Sequence, residues 1–270
     1  MVRKLVAANW KMNKTVVEAA AITETFARKV DAHRDVDVVI CPPFLALPKV
    51  RELLKHTHVE VGGQDVFWVA SGAFTGRISS PMLYGVGAKF CIVGHSETRG
   101  RFGKLEIPED LLGHFCETNE TVRLKIRALL DCEIKPILCV GETLDEREAG
   151  ETDSVIGVQL SEALAGFAGA ELDGLVVAYE PVWAIGTGKT CDSAEANRVC
   201  SMVRDEVNKL FAEEGGVHGL RVLYGGSVKA SNAKELFSQP GIDGGLVGGA
   251  SLDPQEFVDI VTAADMANLQ

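Results

Sequence analysis

The sequence predicts an α/β protein in which parallel strands, each followed by a helix, close into a (β/α)8 barrel. Short runs of β-branched and other apolar residues alternate with longer helical patterns from one end of the chain to the other. Such alternation requires a parallel sheet. An open doubly wound sheet would satisfy it too, but eight such units in 270 residues favour the closed barrel.

The predicted strands are short apolar segments bounded by glycine, proline or polar residues. In chain order they are residues 4–9, 37–41, 59–64, 89–94, 136–140, 175–179, 220–224 and 244–247. The segments between them have apolar residues at the spacing of an amphipathic helix. The predicted helices are 17–30, 45–54, a short one at 80–84, 117–130, 144–167, 193–213, 233–237 and a last helix after Pro254.

Residues 1–270 are predicted to form one domain, because no proline- or serine-rich linker interrupts them. The polar segment 100–114 follows the fourth predicted strand. We interpret it as a lengthened loop between a strand and a helix, since surface loops tolerate such growth.

Composition and charge limit the classes of partner. Hydrophobic residues make up 46% of the chain and charged residues 24%, which is typical of a globular protein. The net charge of −11 disfavours nucleic acid and anionic membrane surfaces as partners. An anionic small-molecule substrate would need a local positive site to overcome the repulsion from this net negative charge.

No segment predicts a membrane span or a signal peptide, because the apolar runs are too short. The seven cysteines contain no Cys-x-x-Cys pair and lie mostly inside apolar runs, which predicts reduced, buried thiols. We therefore expect a cytoplasmic protein.

Several familiar motifs fail on inspection. Gly188-Lys189-Thr190 resembles the end of a phosphate-binding P-loop, but Trp183 occupies the position of the required first glycine. The dinucleotide-binding glycine pattern and the serine nucleophile elbow are also incomplete. His56 and His58 are interpreted as solvated loop residues, so neither a metal nor a cofactor is predicted.

Polar side chains follow several predicted strands at their carboxyl ends, where the chemistry of such barrels collects. These are Asn9 and Lys11 after the first strand, His95, Ser96 and Glu97 after the fourth, and Glu180 after the sixth. Each residue taken alone has an ordinary structural explanation. Together, a carboxylate, an imidazole and an ammonium group at one barrel mouth suit proton abstraction next to a carbonyl group.

The last two predicted strands end in Gly225-Gly226-Ser227 and Gly248-Gly249. Glycine lets the backbone approach a ligand and expose its N–H groups, and a following helix adds partial positive charge. Loops at these two positions are the usual phosphate site of such barrels. The pair therefore predicts phosphate binding.

At these residues the chain resembles the triosephosphate isomerase family of TIM barrels. The matching motifs span nearly the whole sequence in the expected order. They are ANWKMN at 8–13, GAFTG at 72–76, VGHSE at 93–97, PILCVGE at 136–142, AYEPVWAIGTGKT at 178–190, LYGGSV at 223–228 and GGASL at 248–252.

The resemblance implies interconversion of dihydroxyacetone phosphate and D-glyceraldehyde 3-phosphate, a reaction of glycolysis and gluconeogenesis, with no cofactor. By the same resemblance Glu180 is the base, His95 the electrophile, Lys11 and Asn9 stabilise the enediolate, and Glu97 supports Lys11. Ser96 and Cys139 would support the site, and Gly186, Ser227, Gly248 and Gly249 would hold the phosphate. Triosephosphate isomerases are the known example of a glutamate base paired with a neutral histidine.

The resemblance also implies a mobile lid and a homodimer. The lid would be Pro181-Val182-Trp183-Ala184-Ile185-Gly186-Thr187-Gly188-Lys189, with hinges at its two ends. Thr75 would reach the active site of the partner subunit. Arg77 and Thr98 stand where the family usually has a glutamate and an arginine that pair across the interface, and Cys191 stands where alanine is usual.

Two alternatives remain open from the residues. One is another phosphate-binding barrel enzyme, such as a sugar-phosphate isomerase or an aldolase that forms a Schiff base through Lys11. The other is a catalytically inactive barrel kept as a binding protein, against which the intact base, electrophile and lid argue.

Overall fold

A computed structural model describes residues 2–104, 108–185, 187 and 191–268. Its strands are parallel and pair in chain order, and β8 pairs with β1, which closes the barrel. The strands are β1 Leu5–Asn9, β2 Asp37–Cys41, β3 Glu60–Gly63, β4 Phe90–Val93, β5 Lys135–Val140, β6 Val176–Tyr179, β7 Arg221–Tyr224 and β8 Gly244–Val247. The predicted (β/α)8 barrel is confirmed.

The α-helices surround this barrel. They are α1 Val16–Asp31, α2 Leu47–Leu54, α3 Ser80–Gly85, α4 Asn119–Leu130, α5 Leu144–Glu148, α6 Thr152–Ala163, α7 Ser193–Leu210, α8 Ala230–Phe237 and α9 Pro254–Asn268. Short 3-10 helices occupy Glu109–His114, Gly169–Leu172, Val182–Ala184, Ala212–Glu214 and Gly249–Leu252. None of the helices in the described ranges is long and apolar enough to cross a membrane.

Helix starts are fixed by side chains that satisfy the free backbone N–H groups. Thr15 and Glu18 form a reciprocal capping box at the start of α1, and Asp192 accepts from the backbone N–H of Glu195 at the start of α7. The helix predicted at 144–167 is two helices, because the chain turns between α5 and α6 at Gly150, whose φ is +76°. This left-handed conformation ends a helix, and glycine adopts it at little cost.

Two apolar cores follow from the alternation of side chains along each strand. One set of alternate residues points into the barrel and forms a cluster of its own, and the other set packs under the helices. In β6, Val176 and Ala178 point inward while Val177 and Tyr179 point outward. The carboxyl ends of the strands therefore present a fixed series of inward positions.

The cysteine prediction holds for four of the seven thiols. Cys41, Cys91, Cys139 and Cys200 are buried, Cys132 and Cys191 are partly buried, and Cys116 is exposed. All are free thiols. Cys116 is exposed because it lies in the irregular chain before α4 and not in a strand.

A buried ion cluster joins α4 to the loops that follow β3 and β4. The ammonium group of Lys125 lies 2.6 Å from Asp65 Oδ1 and also contacts Glu117, and the side chains of Lys125 and Glu117 are 8% and 5% exposed. Burial lowers the pKa of Lys125, but the two carboxylates outweigh this effect and raise it above its ordinary value. The cation therefore stays charged inside the protein.

We expect Lys125→Met to lower the free energy of unfolding by about 3–5 kcal/mol, because it leaves Glu117 buried without its counter-charge. Lys49→Met is the matched control: Lys49 pairs with Glu52 on an exposed helix face, and its loss should cost less than about 1 kcal/mol. Denaturant unfolding at a fixed protein concentration measures both. Equal small losses would contradict a structural role for the cluster.

Candidate active site

A cavity of about 670 Å³ opens at the carboxyl ends of the strands. Four of the polar residues predicted from the strand ends line it, and so do the two glycine-rich ends, whereas Ser96 and Glu97 are not among its lining residues. Its lining includes Asn9, Lys11, His95, Glu180, Ser227, Gly248 and Gly249. Side chains that are far apart in sequence are thus brought together by one edge of the barrel.

Glu180 occupies the next inward position of β6, after Val176 and Ala178. Its side chain is 2% exposed, with Oε1 lying 2.8 Å from His95 Nε2. Oε2 accepts a hydrogen bond of 3.0 Å from the backbone N–H of Ser96. Burial raises the pKa of Glu180, but the His95 ring and the Ser96 N–H outweigh it and lower the pKa below its usual value. The carboxylate is therefore held ready in its basic form.

His95 breaks the strand alternation. Gly94, with φ +69°, turns the chain, and an ideal Cβ at this glycine would lie 2.7 Å from the Arg99 guanidinium group. The Nδ1 atom of His95 accepts a 3.2 Å hydrogen bond from the backbone N–H of Glu97. A neutral ring in this setting carries its proton on Nε2 and donates it to Glu180. Burial lowers the pKa of His95, but the Glu180 carboxylate raises it above the ordinary value in this arrangement.

Lys11 has a left-handed backbone with φ +50°, which a residue with a side chain adopts only when its surroundings hold it. The Asn9 side chain accepts from its N–H at 3.0 Å, and Gln64 donates to its carbonyl at 2.9 Å. Its ammonium group lies 2.6 Å from Glu97 Oε1. This backbone turn aims the lysine across the cavity.

The glycine-rich ends come close to Lys11. An ideal Cβ at Gly248 would lie 3.7 Å from the Cε atom of Lys11, and the 3-10 helix Gly249–Leu252 begins beside it. Ser227 is exposed at the end of β7, three residues before α8 begins. Backbone N–H groups at two helix starts thus border the cavity next to an ammonium group, which is an arrangement suited to an anion.

Cys139 lies on β5, inside the barrel, with its thiol against the Glu180 carboxylate. Burial, with Glu180 adding to it, raises the pKa of this thiol well above its usual value. Cys139 is therefore a neutral packing group beneath the base.

Sequence reasoning gave no role to Glu142, which contacts Trp183 in the first part of the predicted lid. This buried carboxylate accepts from the Tyr179 hydroxyl at 3.1 Å and from the Trp183 indole N–H at 2.9 Å. The Arg147 guanidinium lies 4.4 Å from the centre of the Trp183 ring. Burial raises the pKa of Glu142, although the Trp183 and Tyr179 hydrogen bonds oppose it. The sequence offered one signal for this role: Glu142 follows Gly141 just after β5, at a position where the strand alternation points the side chain away from the barrel interior.

Gly141 and Gln64 are two further residues without a predicted role. An ideal Cβ at Gly141 would lie 1.7 Å from the Glu180 carbonyl oxygen, so only glycine lets β5 end this close to the base. Gln64 bridges the carbonyls of Lys11 and Cys41. Gln64 is the last residue of the predicted strand 59–64, and Gly141 follows the predicted strand 136–140. Their positions could be predicted, but their contacts could not.

The first part of the predicted lid is a buried 3-10 turn at Val182–Ala184. The hydroxyl of Thr187 donates to the Trp183 carbonyl at 2.8 Å. Gly186, Gly188, Lys189 and Thr190 lie outside the described residues.

The segment 70–77, which contains Thr75, is exposed throughout. Phe74 is 43% exposed and stacks on Phe67 at 4.7 Å, and the Arg77 guanidinium lies 5.6 Å from the same Phe67 ring. The Thr98 hydroxyl contacts Glu117. Arg77 and Thr98 therefore contact groups of their own chain.

The histidine pair stays apart from any metal-binding set. His58 bonds to Asp31 at 2.9 Å and to the Val36 carbonyl, which is partly buried loop packing and not the predicted solvated loop. Within the described ranges, no group of three or more His, Cys, Asp and Glu side chains could hold a metal ion.

Comparison with known proteins gives one family. The family model described as triosephosphate isomerase matches residues 4–264. A triosephosphate isomerase of Carboxydothermus hydrogenoformans is 44% identical over 261 residues, which cover 97% of this chain and 98% of that relative. One of Synechococcus sp. (strain JA-3-3Ab) is 47% identical over 262 residues, covering 95% and 93%.

The crystal structure of triosephosphate isomerase from Bartonella henselae superposes with a TM-score of 0.82 at 33% identity, covering 97% of this chain and 99% of that one. Family model, relatives and solved structure agree with the fold and with the residues gathered at the barrel mouth. The chain belongs to the triosephosphate isomerase family.

Proposed function

We propose that Glu180 moves the proton between the two carbons of the substrate in this member of the family. The chain is an aldose–ketose isomerase that interconverts dihydroxyacetone phosphate and D-glyceraldehyde 3-phosphate. The observation that carries the assignment is the buried pair of Glu180 and His95 at 2.8 Å, in the cavity that Lys11 and Asn9 also line.

The reaction needs a base on carbon and a proton donor to oxygen. Glu180 takes the proton from C1 of dihydroxyacetone phosphate, and His95 Nε2–H donates a hydrogen bond to the carbonyl oxygen as charge develops there. His95 Nε2 gives its proton to the C2 oxygen and takes the proton of the C1 hydroxyl group. The enediolate then accepts the proton from Glu180 at C2, which leaves the aldehyde at C1. When the carboxylate turns from His95 to the substrate, the main cause that raises the His95 pKa is removed. Burial and the Glu97 N–H on Nδ1 then favour the neutral ring.

Lys11 and Asn9 stabilise the enediolate, and Glu97 holds the ammonium group in the ground state. Ser96 and Cys139 position the Glu180 carboxylate, one through its backbone N–H and the other by contact. In this proposal each of these groups either contacts the substrate or positions a group that does.

The phosphate group lies against Ser227, Gly248, Gly249 and Gly186 in this proposal, and the Lys11 side chain lies beside Gly248. The lid, residues 181–189, excludes water from the enediolate, which otherwise loses phosphate. The hydrogen bonds from Trp183 and Tyr179 to Glu142 support this role by fixing one end of the lid.

We further propose that the chain forms one domain and works in the cytoplasm as a two-fold homodimer. The pairing of β8 with β1 supports one domain, and the free thiols support a reducing compartment. The exposed segment 70–77 supports the dimer, with Thr75 reaching Asn9 and Lys11 of the other subunit. Neither nucleic acid nor a membrane is a proposed partner, in keeping with the net charge of −11.

A coupled isomerase assay on purified protein tests the function. The comparisons do not favour a different sugar-phosphate isomerase or an aldolase. Borohydride trapping distinguishes an aldolase from an isomerase. An aldolase that uses Lys11 is labelled in the presence of substrate, and an isomerase is not.

Glu180→Asp should keep the fold and lower kcat by about 10²-fold, because it withdraws the carboxylate by about 1 Å. Glu148→Asp, at an exposed position on α5, is the matched control and should retain wild-type turnover. Steady-state kinetics in both directions measure the effect. Turnover of the Glu180→Asp variant within a factor of a few of wild type would show that Glu180 is not the base.

Deletion of residues 184–188 should leave a folded protein that releases methylglyoxal and inorganic phosphate. Without the lid, water reaches the enediolate and the enediolate can change conformation. Elimination of phosphate then competes with reprotonation on carbon. Product analysis by chromatography measures the partition. Clean isomerisation by this variant would refute the lid assignment.

The dimer should be insensitive to salt, because Arg77 and Thr98 cannot form the interface charge pair usual in the family. Apolar packing around Phe74 and neutral hydrogen bonds would then supply the affinity, and neither is screened by ions. Sedimentation of dilute protein at low and high ionic strength measures it. Dissociation on adding salt would reveal another ion pair, and a fully active monomer would overturn the role of Thr75.

A further inference from the structure

The loop after β4 lies directly against the lid. We propose that residues 100–104, which we name the lid wall, position the lid for the reaction. An ideal Cβ built on Gly103 would lie 2.2 Å from the Val182 carbonyl oxygen, 2.4 Å from the Ile185 carbonyl oxygen and 3.2 Å from Thr187 Cγ2. The wall therefore touches the lid backbone at both ends of its first turn. This inference rests on the proposed lid.

The contact between Gly103 and the lid lies outside the lining of the substrate cavity. Ala184 and Ile185 line that cavity, whereas Gly103 does not belong to its lining. The backbone of the lid thus has the cavity on one side and the wall on the other. A wall in this position limits outward movement of the lid and leaves movement toward the substrate free.

The wall is anchored to the barrel. The Arg101 guanidinium donates to the Gly141 carbonyl at 3.1 Å and to Glu146 Oε1 at 3.1 Å, and the Arg101 N–H donates to the Ser96 carbonyl at 2.9 Å. Arg101 therefore connects the wall to β5 at the same glycine that packs against Glu180. Displacement of the lid wall would therefore strain or break the hydrogen bonds of Arg101.

The two ends of the loop are also held together. Gly100 has φ +70°, and an ideal Cβ there would lie 2.4 Å from the Phe115 carbonyl oxygen. The rings of Phe102 and Phe115 pack edge to face at 5.5 Å. These contacts give the wall a defined position, so added volume at Gly103 must be accommodated largely by the lid.

Gly103 and Gly113 provide a matched test. Both lie in the same loop and neither has a φ in the left-handed region, but an ideal Cβ at Gly113 meets nothing within 4 Å. We would compare Gly103→Ala and Gly103→Val with Gly113→Ala and Gly113→Val. The measurements are kcat, KM, the methylglyoxal fraction, inhibition by inorganic phosphate, and hydrogen exchange of the lid peptide.

The Gly103 variants should lower kcat/KM by about 10- to 100-fold, as expected when a catalytic element is displaced by about 1 Å. They should also raise the methylglyoxal fraction several-fold, weaken phosphate inhibition and speed exchange in the lid peptide, with valine more severe than alanine. The Gly113 variants should match wild type in every measurement. Equal behaviour of the two pairs would overturn the proposal.

Arg101→Gln covers the case in which the Gly103 variants do not fold, since it releases the anchor without adding volume. It should speed exchange of the lid peptide, and unchanged exchange would overturn the proposal. An absence of isomerase activity in the wild-type protein would count against the proposed function instead, and the exchange data would still report on the contact between wall and lid.

Discussion

The alternation of side chains along closed parallel strands is the constraint on which the rest of the structure depends. Every second residue of a barrel strand must point into the interior, and the interior is filled by apolar side chains. At the carboxyl ends this filling stops, and the next inward residues are Asn9 on β1 and Glu180 on β6. The site is therefore the top layer of the core, made of polar groups and supported by the apolar layers beneath it.

The proposed reaction needs side chains that point in directions which the strand alternation does not supply. Local departures of the backbone from strand geometry provide these directions. Gly94 turns the chain so that His95 meets Glu180, and the left-handed Lys11 turns an ammonium group across the cavity. The left-handed backbone of Lys11 is unfavourable by itself. It is held by two hydrogen bonds: the Lys11 N–H donates to the Asn9 side chain, and the Gln64 side chain donates to the Lys11 carbonyl. At Lys11 a strained backbone thus sets the direction of a side chain that lines the cavity.

The strands and the polar residues at their ends could be predicted from sequence, because both depend on short-range patterns. Residues 37–41 and 244–247 were predicted with the bounds that the structure has, and the others differ by one or two residues. The break at Gly150 was missed although residues 145–154, which surround this glycine, are mostly polar. The roles of Glu142 and Gly103 were not predicted, since they depend on contacts with residues about 40 and 80 positions away in the chain. For Glu142 the sequence showed only its position just after a strand.

The charges around the cavity link the glycine-rich loops to the proposed lid. The chain carries a net charge of −11, and the Lys11 ammonium group in the cavity is already paired with Glu97 at 2.6 Å. In the proposed site, attraction of a dianionic substrate rests largely on backbone N–H groups at the starts of α8 and the 3-10 helix Gly249–Leu252, whose partial charges do not titrate. These groups act only at short range and only when water is excluded. In the proposed mechanism the lid, and whatever positions it, is therefore part of the binding site as much as the glycine-rich loops are.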